Sequence, residues 1–525
     1  MNRHPRRALL AATFLILGGA GCTDTTELPT STITDTNYFN DPSSYRALLA
    51  KIYSGLAVSG QQGPAGNGDI QGIDEGFSQY LRLYWEAQEL PSDEAVIAWG
   101  DVGLPEMNTQ LWASSNSFVV AMYYRVAYQV SLANELLRQT TDAKLAERNV
   151  SPELAADIRI FRAEARFLRA LSYWHGIDLF GNIPLATEAD PLGSKTPPLQ
   201  STRQAIFDFI VSELNAMQAD LPAAAGSGTY GRATKEAAAM LLAKVYLNGE
   251  VYTGVPYYAQ ALAAAQQVIS GPFTLDPSYR HLFQADNNTS PEIIFPIIQD
   301  GLRTQTFGGT TFLVHASCGG SMSASTSGVD GCWFGLRLKQ EAYNRYAPGD
   351  PRISFVWTDG QTLAVEDIRN FNNGYAAPKF VNVTSTGAPG SNATHPDTDF
   401  PMFRLGDAYL IYAEAHLRGG GGDRGQALAY VNALRQRAYG NTSGDIADGS
   451  FDLQFILDER GRELLWEAHR RSDLIRFGLF TGGDYVWAWK GGAPLGTATE
   501  TFRDLYPLPA SELTTNPNLV QNPGY

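Results

Sequence analysis

The chain has 525 residues and carries 39 Lys and Arg against 54 Asp and Glu, so its formal net charge at pH 7 is −15. This acidic balance argues against nucleic acid or anionic lipid headgroups as partners, because both require a surplus of Lys and Arg. The length supports a large core and more than one subdomain, and 51 Gly and 28 Pro indicate a globular protein with many long loops.

The N-terminus has the features of a bacterial lipoprotein signal peptide. Three arginines precede a largely apolar segment, residues 8–19, that is too short to span a bilayer. Small residues then lead to Cys22, whose thiol can take a diacylglycerol. We expect residues 1–21 to be removed and Cys22 to anchor the protein in a membrane through two or more acyl chains, which anchor stably where one does not. The alternative is an ordinary signal peptide with a chance cysteine.

After an expected extended tether over residues 22–42, residues 43–270 predict a series of helices. Ser151 followed by Pro152 is typical of a helix start, and Gly181 of a helix stop. Ser201 begins a sequence of capping-box form, S-x-x-Q. The spacing of apolar residues predicts helices over 43–56, 119–140, 152–179 and 201–221.

A pattern of small residues, an aromatic residue and a second Ala-rich helix occurs twice. Residues 236–269 and residues 407–438 both have it, and residues 155–219 form a looser third copy. The pattern is typical of tetratricopeptide-like helical hairpins, which stack because one hairpin alone cannot bury its apolar face. The copies are separated by long insertions, so we expect a mainly α fold of packed hairpins and not a regular solenoid.

Residues 271–400 differ from the rest of the chain. Helical periodicity weakens there, Gly, Ser, Thr, Pro and Asn become more frequent, and residues 293–298 could form a short strand. The helical pattern returns in residues 401–525, with a helix over 451–477, and the last 25 residues are Pro-rich. We therefore expect a loop-rich insert with a ligand loop between two helical regions.

The remaining cysteines predict a disulfide. If Cys22 is lipidated, Cys318 and Cys332 are left as a pair in a Gly/Ser-rich stretch. Export would place them where disulfides persist. A bridge would close a loop of about 15 residues and stabilise it by about 3 kcal/mol. The alternative is two free thiols.

Five short motifs occur in order behind the signal peptide. They are residues 33–34 with 38–39, 164–170 with 180–185, 404–410 with 413–415, 459–478, and 506–509 with 521–525. Together they resemble the SusD/RagB family of nutrient-uptake lipoproteins of the Bacteroidetes outer membrane. Ala468 stands where the fourth motif usually has Gly.

The resemblance implies four helical hairpins packed with an irregular, loop-built region. It also implies that the protein lies over a SusC-like TonB-dependent outer membrane barrel and delivers oligosaccharide to it. Some members bind peptides, so a peptide or another nutrient is the alternative ligand. The acidic residues Asp24 and Glu27 near Cys22 resemble a surface-export signal, so we expect a lipid-anchored protein exposed at the surface of the outer membrane.

The sequence contains no catalytic signature such as G-x-S-x-G or H-E-x-x-H, and no metal-spaced Cys/His set. We therefore expect a binding protein without a cofactor or metal, and a glycoside hydrolase is the less favoured alternative. The sequence leaves open whether calcium binds residues 286–288. The Glu/Arg-rich stretch 458–476 is interpreted as structural, with Glu467 and Arg471 at the spacing of a helix ion pair.

Aromatic residues outside helices give the positive signal for function, because sugars present flat C–H faces that lie on aromatic rings. Trp99 lies in a loop that resembles the family's ligand loop, and Trp333 directly follows Cys332, where a disulfide would brace it. We assign both to ligand contact, with hydrogen bonds from Asp101 and Arg82.

The other tryptophans are assigned by their context. Trp174 and Trp466 lie in strongly helical segments and are expected in the core. Trp487 and Trp489 alternate in an apparent loop and are candidates for contact with a partner. The weaker candidates for ligand contact are Tyr84, Trp85, Trp112 and Trp357.

Overall fold

The computed structural model describes residues 35–191, 193 and 195–525. The predicted signal peptide, Cys22 and the first part of the tether lie outside the described residues. Helices dominate, and the strands in the described part of the chain are short, so the expected mainly α fold class is confirmed. None of the helices within this part is both long enough and apolar enough to cross a bilayer.

The first half of the chain consists of helices with three short strands among them. In chain order the elements are α1 Asp35–Tyr38, α2 Ser43–Ala57, α3 Tyr80–Glu89, β1 Ala95–Ile97, α4 Leu104–Thr109, α5 Ser117–Gln139, α6 Asp142–Glu147, α7 Pro152–Phe180, β2 Ile183–Pro184, β3 Gln200–Ser201, α8 Arg203–Met217, α9 Lys235–Leu247, α10 Gly249–Thr253 and α11 Tyr258–Ile269.

Helix α7 begins and ends as its sequence predicts. The Ser151 hydroxyl accepts a hydrogen bond from the Leu154 N–H at 3.3 Å, and Pro152 is the first helical residue. The helix ends at Gly181, whose φ of 72° carries a steric cost for residues with a Cβ but not for glycine.

Two features of this half differ from the sequence expectation. Helix α8 is capped by Thr202, whose hydroxyl accepts from the Ala205 N–H at 3.2 Å, because Ser201 lies in β3 and pairs with Ile183. Helix α3 is absent from the predicted elements. Arg82, Glu86 and Glu89 recur in it at helical spacing, so the pattern was present in the sequence, although every residue of α3 is buried in the fold.

The second half contains the loop-rich region and a further set of helices. Its elements are β4 Ile293–Ile297, α12 Gly309–Ala316, β5 Leu336–Leu338, α13 Gln340–Asn344, β6 Phe400–Arg404, α14 Leu405–Leu417, α15 Arg424–Tyr439, α16 Leu453–Glu463, α17 Arg470–Arg476 and α18 Ala510–Thr515. The short 3-10 helices of the described chain are Gly226–Gly228, His281–Phe283, Asn287–Thr289, Ala324–Ser327, Pro351–Ile353, Thr442–Gly444, Asp448–Ser450, Lys490–Gly492 and Thr501–Asp504. The strand expected over 293–298 is present as β4, which pairs antiparallel with β6.

The predicted helix over 451–477 is two helices, α16 and α17. Trp466 and Ala468 lie in the connection between them, with φ of 60° and 61°. This left-handed conformation is one that glycine adopts without a Cβ penalty. The backbone therefore explains why a glycine fits the motif at the position of Ala468.

The predicted ion pair between Glu467 and Arg471 is wrong for the same reason, since the two residues do not share a helix. Glu467 instead accepts hydrogen bonds from Arg404 and from the Lys379 ammonium, the latter at 2.7 Å. Arg471 donates to the Asp178 carboxylate at 2.9 Å.

The three predicted hairpins pack as pairs: α7 on α8, α9 on α11, and α14 on α15. Helix α11 also packs on α14, and α5 on α7, so neighbouring pairs form a continuous helical array. One cluster of buried apolar side chains draws on all three regions of the described chain. The boundaries at residues 270/271 and 400/401 stay a prediction.

A network of buried ion pairs crosses the loop-rich and C-terminal regions. Arg404, which is 1% exposed, contacts Glu292 and Glu463 at 2.8 Å each and Glu467 at 2.6 Å. A buried charge without a partner is costly, because the low-dielectric interior does not replace its hydration. Arg404 therefore fixes β6 to α16 and to the connection that follows it.

Replacing Arg404 with Met should lower the free energy of unfolding by about 3–5 kcal/mol, because buried carboxylates lose their shared partner. Denaturant unfolding of the soluble protein measures this change. Arg303→Met is the matched control, since Arg303 is 79% exposed and pairs only with Asp300 at the surface. Its loss should cost about 0–1 kcal/mol. Equal effects of the two substitutions would contradict the structural role of Arg404.

The network should also make stability depend on pH at the acid end. Burial alone would raise the pKa of Glu459, but Arg352, Arg462 and Arg435 lower that pKa to about 2. A depressed carboxylate pKa stabilises the fold above its ordinary value of 4.5, and that stabilisation is lost as pH falls toward 2. Unfolding measured across this window should show falling stability, with a shallower slope for Glu459→Gln. Parallel curves for the two proteins would contradict the assignment.

Candidate functional site

The candidate site begins at two buried carboxylates that precede β1. Asp93 accepts hydrogen bonds from Arg470 at 2.7 Å and from Arg345 at 2.6 Å. Glu94 pairs with Arg345 at 2.8 Å. The Tyr485 hydroxyl also donates to Asp93 at 2.6 Å. Burial would raise the pKa of Asp93, but the two guanidinium groups depress that pKa far below its usual range, so the carboxylate stays charged.

Strand β1 connects these buried ion pairs to Trp99. It pairs antiparallel with β5, with Ala95 opposite Leu338, and the Ala98 N–H donates to the Gly335 carbonyl at 2.9 Å. Trp99 follows the end of β1, and Trp333 precedes the start of β5. The strand register therefore brings together two tryptophans that are 234 positions apart in the sequence.

Trp99 and Trp333 are in direct contact. The Trp99 indole N–H donates to the Trp333 carbonyl at 2.9 Å, and the ring centroids lie 6.3 Å apart. Both residues are half-buried, so part of each ring faces solvent. Each is a rigid aromatic surface that loses little side-chain entropy on binding a ligand.

The loop that carries Trp333 is braced on several sides. Cys318 and Cys332, the expected pair, are joined by a disulfide with a Cα–Cα distance of 4.8 Å. The Trp333 N–H donates to the His315 carbonyl at 2.8 Å, and the His315 ring stacks on the Trp333 indole at 4.5 Å. The His315 ring nitrogens also contact the carbonyls of Gly331 and Thr394. These contacts hold the Trp333 indole in one position.

Two phenylalanines extend the surface made by the two tryptophans. Phe307 lies 6.3 Å from the Trp333 ring. Phe77 is half-buried and contacts the same arginine as Trp99. We name Phe77, Trp99, Phe307 and Trp333 the aromatic platform. Neither phenylalanine was predicted from the sequence. The neighbouring Phe334 is 49% exposed and packs edge-to-face on Phe371.

Arg82 lies beneath the aromatic platform, where its Nη2 has no hydrogen-bond partner within the described residues, so its assignment as a ligand contact stays a prediction. Its side chain is 2% exposed and pairs with Glu86 at 2.9 Å. The guanidinium carbon lies 4.3 Å from the Phe77 ring centroid and 5.5 Å from that of Trp99. Burial lowers the pKa of Arg82 and raises the pKa of Glu86 to about 7. Arg82 therefore acts as a support for the rings through cation–π contact.

The assignments of Tyr84 and Trp85 as ligand contacts are wrong, because both side chains are buried on helix α3. Tyr84 is 2% exposed and stacks on His175 at 3.8 Å. Trp85 is fully buried, and its indole N–H donates to the Trp466 carbonyl at 2.9 Å. Both side chains pack in the core.

The remaining tryptophans divide between core and surface. Trp174 and Trp466 are 3% and 1% exposed, which confirms their place in the core. Trp112 is buried and donates to the Tyr525 hydroxyl at 2.7 Å. Trp487 is fully buried, so it cannot contact a partner as expected. Trp357 and Trp489 are half-buried.

Two polar side chains lie beside Trp99 at the edge of the aromatic platform. Asp101 is exposed, as expected of a ligand contact. The exposed Arg369 rests against the backbone of Gly100, where an added Cβ would lie 2.1 Å from the Arg369 guanidinium. Its guanidinium makes no hydrogen bond to the chain that the structure describes, so its donors are available. The sequence could not reveal Arg369, because 268 residues lie between it and Gly100.

The chemistry of this arrangement is reversible binding. Ring faces can stack on the apolar faces of a ligand, while Arg369 can donate and Asp101 can accept hydrogen bonds. Within the described residues, no cluster of three or more His, Cys, Asp or Glu side chains is arranged to bind a metal ion. At residues 286–288, the Asp286 carboxylate accepts hydrogen bonds from Ser385.

Comparison with known proteins identifies relatives along most of the chain. A profile of the SusD family matches residues 291–525, and a profile described as starch-binding associating with outer membrane matches residues 89–247. The starch-binding protein SusD of Bacteroides thetaiotaomicron is 34% identical, with 91% of this chain and 92% of that protein aligned. The SusD-like protein P25 of Formosa agariphila is 27% identical over 76% of this chain and 77% of its own length.

Solved structures share the fold. The surface glycan-binding protein A from Bacteroides thetaiotaomicron, in complex with laminarihexaose, has a TM-score of 0.69 and 20% identity, with coverage of 91% of this chain and 98% of its own. A SusD superfamily protein from Parabacteroides distasonis has a TM-score of 0.70 and 22% identity, with coverage of 94% and 100%. At this identity the likeness establishes the fold alone.

Replacing Cys318 and Cys332 with Ser should loosen the loop that carries Trp333. The closed loop contributes about 3 kcal/mol in the chain-entropy description, so the double variant should unfold at lower denaturant concentration. Hydrogen exchange in residues 319–334 should become faster, while exchange in α9 stays unchanged. Unchanged exchange in the loop, or two free thiols in the unreduced wild-type protein by mass spectrometry, would contradict the bracing role of the disulfide.

Proposed function

The chain belongs to the SusD family, and from this premise we propose that it is a surface-exposed lipoprotein that binds a glycan on the aromatic platform and delivers it to a SusC-like TonB-dependent transporter. A relative that is 34% identical is named a starch-binding protein, and a structural relative was solved with laminarihexaose. Both ligands are glucose polymers, which supports a neutral polysaccharide as the ligand of this chain.

One observation carries the assignment of the binding site: Trp99 and Trp333 meet on adjacent loops with both rings partly exposed. The two rings are in contact and each residue is partly exposed, so they leave adjoining apolar area in water. A sugar chain would cover that area with its C–H faces. Its hydroxyl groups would meet Arg369 and Asp101 at the edge.

The aromatic platform supports binding and not hydrolysis. A glycosidase places two carboxylates on either side of the scissile bond, about 5–10 Å apart. Glu86 lies under the rings and is paired with Arg82, so it has no access to a sugar on their outer face. Asp101 is exposed beside Trp99 and serves as a hydrogen-bond acceptor.

The lipid anchor and the partner barrel rest on the sequence and the family. Small residues precede Cys22, and one matching profile is described as associating with the outer membrane. A protein anchored at Cys22 would carry the aromatic platform on a body that begins at α1, next to which Phe39 already packs in the core. This arrangement suits capture of a polymer outside the cell and its transfer to a transporter.

Removing the platform rings should abolish glycan binding. A glycan array on the form lacking residues 1–22 first selects the oligosaccharide, and calorimetry then measures its affinity. Trp99→Ala and Trp333→Ala should each weaken binding about tenfold, or ~1.4 kcal/mol, and the double variant should bind no ligand. Trp99→Phe keeps a ring and should retain more affinity than Trp99→Ala.

Tyr430→Ala is the matched control, because Tyr430 is a half-buried aromatic residue on α15, where its ring stacks on Tyr409. It should bind as the wild type does, and thermal unfolding should show that all variants are folded. Unchanged affinity in the double variant would overturn the assignment of the site. Cleavage of a labelled oligosaccharide by the purified protein would overturn the proposal that it is a binder.

A further inference from the structure

A second cleft lies outside the aromatic platform and shares no residue with it. Its walls come from the loop before α9, from the segment after α11, and from the segment that leads into β4. The cleft volume is about 540 Å³, within the range of roughly 300–1,000 Å³ that is typical of ligand pockets. We name it the hydroxyl cleft, after the side chains that line it.

The lining of the hydroxyl cleft is uncharged. No Asp, Glu, Lys, Arg or His is among the residues that line it in the described structure, although 18% of the whole chain is charged. Polar groups come instead from hydroxyls and one amide, on Thr229, Tyr230, Thr234, Asn288, Thr289 and Ser290. A site of this kind offers hydrogen bonds without the desolvation cost of a charge.

Two aromatic rings face the same cleft, from Tyr230 and Phe273, and both are half-buried. The Tyr230 hydroxyl donates to the Asp399 carboxylate at 2.6 Å, so the ring is fixed from behind. Asp399 is itself 2% exposed and accepts a second hydrogen bond from the Gln299 N–H at 2.7 Å. The ring position is therefore built into the core.

Several polar groups of the hydroxyl cleft keep bonding capacity for a ligand. The Ser290 hydroxyl accepts from the Glu292 N–H at 3.3 Å, which leaves its own proton free to donate. The Asn288 side chain is exposed and makes no hydrogen bond to the described chain. The neighbouring Asn287 instead fixes the floor, because its amide donates at 2.8 Å to the carbonyls of Leu282 and Asp399.

We propose that the hydroxyl cleft is a second binding site, specific for uncharged oligosaccharide. Its pairing of two ring faces with hydroxyl and amide groups matches the apolar faces and hydroxyls of a sugar. Its lack of charge disfavours peptides with ionised side chains and anionic glycans, since neither would find a counter-charge. The site is separate from the aromatic platform, so the chain can bind one polymer at two places or two polymers at once.

The experiment uses the full mature chain with maltoheptaose and with laminarihexaose as probes. Hydrogen exchange with each probe should show added protection in residues 224–230 and 287–294. Phe273→Ala and Asn288→Ala should each raise about tenfold the probe concentration that is needed to protect these segments. Protection around Trp99 should be unchanged. The control Thr274→Ala changes an exposed residue outside the lining and should behave as the wild type does.

The variants Trp99→Ala and Trp333→Ala separate this site from the proposed function. Protection of the cleft segments that persists in their double variant establishes the second site independently of the aromatic platform. Protection around Trp99 alone, with both probes leaving the cleft segments unprotected, would overturn the second site and leave the proposed function standing. Protection of the cleft segments that Phe273→Ala and Asn288→Ala do not weaken would also overturn it, as would failure of both probes at both places.

Discussion

The ion pairs of Asp93 and Glu94 with Arg345 and Arg470 are the contacts on which the binding surface depends. They join the segment before β1, the loop-rich region and α17, which are far apart in the sequence. Desolvation of four charges is costly, and it is offset only when every group finds a well-placed partner. The ion pairs therefore specify one arrangement of these segments, and any other arrangement leaves a buried charge unpaired.

Strands β1 and β5 connect these buried ion pairs to the surface. On the β5 side, the Lys339 ammonium donates to the Leu90 and Ser92 carbonyls at 3.2 and 2.6 Å, and burial lowers its pKa to about 7. Both strands are thus fixed at the ionic end, and their other ends carry Trp99 and Trp333. Buried contacts therefore hold the two rings rigid. A rigid site loses less conformational entropy when a ligand binds.

Elements set by local sequence, such as helix caps and apolar spacing, could be predicted. Contacts between segments that are distant in the sequence could not. Helix α7 was predictable because its cap, its apolar spacing and its terminal glycine agree. Helix α3 was missed although its charged residues recur at helical spacing, and the burial of Tyr84 and Trp85 was missed with it. Trp99 and Trp333 were identified as loop aromatics, but their contact follows from the β1–β5 pairing, which no local pattern shows. Arg369 became visible only where the fold places it against Gly100.

We propose that a glycan lies on the exposed faces of the aromatic platform. A crystal structure of the mature protein with the oligosaccharide that it binds in solution tests this proposal most directly. We expect sugar rings stacked against the indoles of Trp99 and Trp333, with hydroxyl groups within hydrogen-bond distance of Arg369 and Asp101. An ordered oligosaccharide bound elsewhere on the protein, with both indoles uncovered, would contradict it.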